Sequence, residues 1–352
     1  MKSDTLFFAL LRDALWHTGQ DIPTSLSDKE GEDVLSLAKQ QTLSGLIIDA
    51  LFRHNVKIPQ PMVFESIGLL ERIKQNNRQV NGGIARLNGL LAEPGVPYII
   101  VKGQVVATYY PDPLLRQAGD IDFYCDKLYF EKARKLINEE WGINASAGGS
   151  DKHIEFSYKD VIYEGHFSLI SLYSRRNNSY WQKILNEDKE LLVNIDGVDV
   201  KTLSPTLHTL YIFLHLYHHL MELGVGLRQF CDWAIMLHAC QDDIDLGLLH
   251  SHLQTLKMEK AYRACGSILV DYLGLPEHEF GYQLTDNDRR YGRKILDVVF
   301  YRGNMGHYNK LSGWKHKIEA IGIKASHFFK FMPLAPSYSC HWLWHEFRRK
   351  VV

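Results

Sequence analysis

GDIDFYCD, residues 119–126, sets Asp120 and Asp122 at alternate positions of an otherwise apolar run. A strand sends residues i and i+2 to the same face, so these carboxylates point the same way a few Å apart, where like charges repel. Such a pair calls for something positive between its members. Upstream, YIIVKG (98–103) is a short β-branched run of the buried-strand type, closed by Gly103, and QVVATYYPDP after it reads as helix. Downstream, KLYFEKARKLINEEWG (127–142) reads as a helix stopped by Gly142. HIEFSYKDVIYEGHFSLI (153–170) alternates like a hairpin turning at Lys159 and Asp160, although Lys-Asp is a poor turn signal. That turn would oppose Glu155 to Glu164 and His153 to His166, gathering all four on one face. Ile154, Phe156, Tyr158, Val161, Tyr163 and Phe167 form the other, apolar face that should meet a core. Paired glutamates across a ladder repeat the question raised by the aspartates.

Helical patterns flank this strand region. Leu43, Leu46, Ile47, Ala50 and Leu51 fall at helical spacing, preceded by Leu35 and Ala38, and Pro61 opens a long periodic segment. LSPTLHTLYIFLHLYHHLMELG (203–224) has Ser204 and Pro205 as start signals and Gly224 as a stop, and further helices are expected over 228–240, 244–273 and 286–300. The expected architecture is α+β: a helical segment over 1–94, a small mixed-sheet core over 95–202 and a helical domain over 203–352.

Bulk properties narrow the function. With 352 residues, 45% hydrophobic content and a formal net charge of −1, the chain can build sizeable cores but has no global field to attract a polynucleotide or a membrane. No long nucleic acid is expected as a partner. Five widely spaced cysteines without a CxxC pair argue against a disulfide framework or a zinc knuckle and fit a reducing compartment. The apolar stretch between Asp4 and Arg12 is too short for a signal peptide, and no run of about eighteen apolar residues suggests a membrane span. A cytoplasmic location is expected.

The economical partner for clustered carboxylates is a hard divalent ion such as Mg²⁺, which prefers carboxylate oxygens and shares its shell with phosphates. Carboxylates from neighbouring strands can hold two such ions about 4 Å apart, one beside an attacking hydroxyl and one beside a departing pyrophosphate. That is phosphoryl or nucleotidyl transfer chemistry.

YIIVKGQVVATYYPDPLLRQAGDIDFYCD, then YEGHFSL, then LSPTLHTLYIFLHLYHHLMELGVGLRQFCDWAIML together resemble the uncharacterised nucleotidyltransferase family of the polymerase β superfamily. Its members show a strand ending in Lys-Gly, an Arg shortly before Gly-Asp-Ile-Asp, an acidic-x-His strand, and a helical region with a recurrent His and a later Asp. The resemblance spans roughly 96–237, and its specificity lies in the ordered combination, since a lone Asp-x-Asp is common. It implies that the mixed-sheet core is a nucleotidyltransferase core, with Asp120 and Asp122 as paired metal ligands. Glu164 takes the third-carboxylate place, binding metal at the acceptor side and helping to deprotonate the attacking hydroxyl. Gly103 stands where the superfamily's Gly-Ser turn admits the triphosphate, and Gln104 replaces the Ser, so the usual hydroxyl contact is missing. Lys102 and Arg116 supply cations for phosphate, and His166 and Arg228 complete the candidate nucleotide-binding set. The implied reaction moves a nucleoside monophosphate from a nucleoside triphosphate such as ATP, with Mg²⁺, to a hydroxyl on a small molecule or protein, releasing pyrophosphate.

Blander readings stand beside these. Asp120 and Asp122 taken alone are often solvated strand-end residues, and Glu155 rivals Glu164, which is preferred for its Glu-x-His pattern. His215, His218, His219 and Glu222 share a helical face at a spacing that permits zinc, but packing beneath a domain interface is the preferred reading and no zinc is expected. Arg228 and Asp232, one turn apart, most simply pair with each other, although the resemblance turns them toward the cleft. The tail with Trp342, Trp344, Arg348, Arg349 and Lys350 is expected to pack on the helical domain rather than touch a membrane. Two other functions compete: a catalytically inactive nucleotide-binding or scaffold protein, in which Gln104 marks a lost phosphate turn, and a metal-dependent hydrolase using the same carboxylates with His166 or His215.

Overall fold

Helices α1 (Ser3–Trp16), α2 (Asp28–Gln40), α3 (Ser44–Arg53) and α4 (Gln60–Ala92) open the chain in the computed structural model, which describes residues 3–145, 153–222, 224–302 and 314–351. Their ends follow local rules. Ser27 caps α2 in a capping box with Glu30, and Pro61 sits in the first turn of α4, where its missing N–H costs nothing.

The α+β core follows. It comprises β1 (Ile99–Ile100), α5 (Gly103–Ala107), a 3₁₀ turn (Pro113–Leu115), β2 (Ile121–Tyr124), α6 (Lys127–Trp141), β3 (His153–Tyr158) and β4 (Val161–His166). The sheet is mixed, in the order β1-β2-β4-β3, with β2 parallel to β4 and the other pairs antiparallel. The β3–β4 hairpin has the expected register, Glu155 opposite Glu164 and His153 opposite His166. Lys159 and Asp160 both stand at positive φ (49° and 59°), as a two-residue turn matched to strand twist requires even without glycine. Gly142 stops α6 in the left-handed conformation, at φ 64°.

Alternation then sorts the two faces of the sheet. Ile121, Phe123, Ile154, Phe156, Val161 and Tyr163 are buried against Val80, Ile84 and Leu87 of α4 and Phe130, Ala133 and Ile137 of α6. Gly83 permits this approach, because a Cβ there would stand 2.9 Å from both the Ile121 side chain and the Tyr163 hydroxyl. The opposite face carries Asp122, Glu164 and His166, on the side of the C-terminal helices.

A helix α7 (Arg175–Asn186) and a separate hairpin, β5 (Leu191–Ile195) with β6 (Val198–Thr202), lead into α8 (Pro205–Glu222). Ser204 caps α8 by accepting from the Leu207 amide at 3.3 Å, and Gly224 closes it at φ 113°. α9 (Leu227–Ala239), α10 (Leu246–Leu256), α11 (Glu259–Asp271), α12 (Glu277–Phe280), α13 (Asp286–Arg302), α14 (Trp314–Phe331) and α15 (Pro336–Val351) complete the chain. The continuous helix expected over 244–273 is instead α10 and α11, because Lys257 takes the left-handed conformation (φ 58°) and its amide caps the carbonyls of Leu253 and Gln254. Trp342 of α15 is buried in the main core while Trp344 is exposed, with the Arg348 guanidinium 5.0 Å from its ring. The side chains of Arg349 and Lys350 lie outside the described residues. Among the described residues no helix is long and apolar enough to cross a membrane.

Gly45 of α3 faces the turn that leads to the site. A Cβ there would lie 2.2 Å from the Leu115 carbonyl oxygen, a backbone atom with little freedom to yield. Gly45→Ala is expected to destabilise the fold by about 1–3 kcal/mol through overpacking, read as a lower denaturant midpoint at unchanged slope.

Candidate active site

Strand register brings the acids together. Asp122 of β2 lies directly opposite Glu164 of β4, and Tyr124 opposite His166. Asp122, Asp120 at the entrance to β2, and Glu164 line one cleft, together with Lys102, Gly103 and Arg116. Glu155, on the outer strand β3, is exposed and does not line it.

The positive partner of Asp122 is Lys102. Its ammonium lies 3.0 Å from Asp122 Oδ2, while His166 Nε2 lies 3.0 Å from Asp122 Oδ1 and 3.4 Å from Glu164 Oε2. Burial alone would favour a neutral Asp122, but Lys102 and His166 outweigh it and hold the carboxyl far below its usual range. His166 shows the reciprocal effect: burial disfavours its charge, yet hydrogen bonds to Asp122 and Glu164 push it up to about 9. Lys102 likewise stays charged, burial being overcome chiefly by Asp122. Asp120 is raised by burial and then by the charge of Asp122, the repulsion anticipated from GDIDFYCD.

Helix α8 approaches from the other side. His208 Nε2 accepts the Lys102 backbone N–H at 3.0 Å, and His215 Nε2 lies 2.9 Å from the Lys102 ammonium. The four-residue histidine and glutamate face divides in two. His215 and His219 line the cleft with their Nε2 atoms 3.2 Å apart, and burial holds His219 down at about 3. His218 instead meets the hydroxyls of Tyr173 and Tyr338, each at 3.1 Å, with Glu222 at 3.7 Å.

Arg116 is buried and grips Asp232 with its fork, Nε to Oδ1 at 2.7 Å and Nη2 to Oδ2 at 2.8 Å, and Tyr110 donates to the same carboxylate at 2.9 Å. The pairing of Arg228 with Asp232 expected from helical spacing is therefore not made. Both residues line the cleft, but Arg228 donates to the Gln117 carbonyl at 2.6 Å, because a bidentate guanidinium already occupies both oxygens of Asp232. Arg116 Nη1 and Arg228 Nε are buried without a hydrogen-bond partner. Gln104 does not reach the cleft. Its buried side chain donates to Asn81 at 2.6 Å and Asn77 at 3.2 Å on α4, and Asn77 in turn donates to the carbonyls of Leu114 and Arg116.

Sequence reasoning missed His208, Tyr110, Asn77 and Asn81. Each acts through contacts far away in the chain, and nothing local marks it. Among the described residues, the group with ligand atoms close enough to share a metal is Asp122, Glu164 and His166, all within 4.8 Å of one another. The two carboxylates of this group suit a hard divalent cation, whereas Asp120, which the resemblance places in the metal set, lies outside it and His166 stands within it.

The model of a family described as uncharacterised nucleotidyltransferase matches residues 27–274 of the chain, wider on both sides than the motifs alone. No curated protein matches it. Among solved structures, an antigenic nucleotidyltransferase-like protein from Paracoccidioides brasiliensis is similar at 14% identity, covering 58% of this chain and 93% of its own, with a TM-score of 0.30.

Proposed function

The chain belongs to the uncharacterised nucleotidyltransferase family, and from that membership we propose that it transfers a nucleoside monophosphate from a nucleoside triphosphate to a hydroxyl acceptor, a small molecule or a protein, with Mg²⁺ and release of pyrophosphate. Nucleotidyl transfer as a class follows from the family. The observation that carries the finer reading is the meeting of Asp120, Asp122 and Glu164 in one cleft that is also lined by Arg116 and Arg228, each with a buried nitrogen lacking a hydrogen-bond partner.

In this reading Asp120, Asp122 and Glu164 hold the divalent ions, with His166 hydrogen-bonded to the Asp122 carboxylate and orienting it. Bound Mg²⁺ supplies charge neutralisation of the polyphosphate and acidity at the acceptor oxygen. Arg116 Nη1 and Arg228 Nε, without protein partners, donate to phosphate oxygens, and Lys102 adds a third positive charge. Gly103 leaves room for phosphate, since the nearest heavy atom to a Cβ there would be the Asp120 carbonyl oxygen at 3.7 Å. Glu164, less buried than Asp122, faces the acceptor and takes the proton of the attacking hydroxyl. The four buried, unpaired cysteines Cys125, Cys231, Cys240 and Cys265 support a reducing, cytoplasmic location.

The test supplies ATP, GTP, CTP and UTP in turn with Mg²⁺ and a panel of alcohols, sugars and proteins, and follows pyrophosphate. Release with at least one nucleotide, abolished by EDTA, is expected. Glu164→Gln should lower the rate about a hundredfold or more, as loss of a positioned base does, whereas Glu155→Gln should leave it unchanged. The reverse pattern would give Glu155 the third-carboxylate role. The withdrawal of Gln104 from the cleft favours a second reading, a nucleotide-binding protein without turnover. Tight triphosphate binding with no product on any acceptor would establish that alternative, and free monophosphate without acceptor would indicate hydrolysis.

A further inference from the structure

Lys102 has an unusual backbone for a residue with a side chain. At φ 55° and ψ −141° it lies next to the region that glycine alone occupies freely, and such strain persists only where surrounding contacts enforce it. Here those contacts come from one face of α8. The Lys102 N–H donates to His208 Nε2 at 3.0 Å rather than to a backbone carbonyl. Seven residues on, two helical turns away and on the same face, His215 Nε2 stands 2.9 Å from the ammonium of the same lysine. Tyr211, between them on α8, places its ring centroid 5.6 Å from that ammonium. A single helix thus grips Lys102 at both ends.

We propose that His208 and His215 are positioning residues: His208 locks the turn that carries Lys102 and Gly103 into the cleft, and His215 aims the Lys102 ammonium at Asp122. Their effect on turnover rests on the nucleotidyl-transfer reading above, whereas the grip on Lys102 stands on the contacts themselves. The chemistry suits the task. An imidazole accepts the Lys102 amide only through an unprotonated Nε2, and the full burial of His208 keeps its ring neutral, with its proton on Nδ1. His215 is buried beside an ammonium that can only donate, so its ring, held neutral, meets that ammonium with an unprotonated Nε2 as acceptor. A residue that merely filled space at these positions would need neither acceptor.

The test needs no turnover to begin. Trace acetylation of the intact protein, read by mass spectrometry, reports the reactivity of each lysine. His215→Leu should raise labelling of Lys102 about fivefold or more relative to the exposed lysines, because its ammonium loses a fixed partner, while His215→Gln, which keeps an acceptor oxygen, should stay near wild type. His208→Leu should make one further amide in the segment 99–106 exchange rapidly with deuterium, and His208→Gln should restore its protection. In kinetics both leucine variants should lower kcat about tenfold or more with the nucleotide KM within about threefold of wild type, and both glutamine variants should recover.

Unchanged labelling and exchange in folded leucine variants would overturn the proposal, as would equal losses in the leucine and glutamine forms. If His208→Leu does not fold, His208→Asn replaces it: its amide oxygen falls short of the Lys102 N–H, and undisturbed exchange there would likewise overturn the proposal. Altered labelling and exchange in the leucine variants, together with a wild-type protein that turns over no nucleotide, would leave the grip on Lys102 standing and remove the nucleotidyl-transfer reading instead.

Discussion

Asp122→Asn is expected to lower pyrophosphate release about a thousandfold or more, since it removes a charge placed to hold metal and polyphosphate in a water-poor cleft. Asp122 is the hub of the site. One oxygen meets the Lys102 ammonium at 3.0 Å, the other meets His166 at 3.0 Å, and register sets Glu164 directly opposite. Asparagine preserves the outline and one acceptor but not the charge, so the fold should survive while the reacting geometry loses its anchor. The substitution also leaves Lys102 without its anionic partner at 17% side-chain exposure, which should weaken stability by an amount visible in thermal unfolding yet short of unfolding the protein. Asp120→Asn is the instructive companion. Asp120 lacks an ion-pair partner among the described residues and is crowded by Asp122 and Glu164, so its loss should relieve repulsion and leave stability level or higher while activity still falls. Release from Asp122→Asn equal to that of the wild type would remove the proposed mechanism.

Much of this site was legible because its logic is periodic. A strand has a period of two, so burying Ile154, Phe156 and Tyr163 on one face puts Glu164 and His166 on the other, and a turn at Lys159-Asp160, weak as its signal is, sets the register. Asp120 and Asp122 were legible for the same reason. What periodicity cannot show is a partner far away in sequence. Local spacing pairs Arg228 with Asp232, but the fold brings Arg116, 116 positions earlier, into a bidentate contact that no helical neighbour can match. Gln104 reads as a phosphate-turn residue by position, yet Asn77 and Asn81 hold its side chain on α4. The break between α10 and α11 was hidden because LQTLKMEKAY contains neither glycine nor proline, and a lysine took the left-handed position. Missed altogether was the β5–β6 hairpin, although Asp196-Gly197 between Val193, Ile195, Val198 and Val200 is a strong two-residue turn signal, with both turn residues at positive φ.

Asp232→Ala should be the most destabilising single change near the cleft, at about 3–5 kcal/mol, because it strands the buried Arg116 guanidinium without a counter-ion. Arg116 and Asp232 are 5% and 6% exposed, so water cannot compensate, and Tyr110 loses its acceptor at the same time. The pair also separates two roles that are easily confused. Two groups of the Arg116 fork are committed to Asp232 and serve the fold, whereas Nη1 is buried without a hydrogen-bond partner and is the group that the proposed function gives to phosphate. Replacing both residues by apolar ones of similar volume, Arg116→Met with Asp232→Leu, removes the ionic pair as a unit and should recover most of the stability lost in Asp232→Ala, as buried pairs replaced whole often do. It should not recover nucleotidyl transfer, because the phosphate donor has gone with the pair. Denaturant midpoints and pyrophosphate release measured on the same three proteins decide the matter: a double variant that is both stable and active would mean that Arg116 braces the fold and never touches the nucleotide.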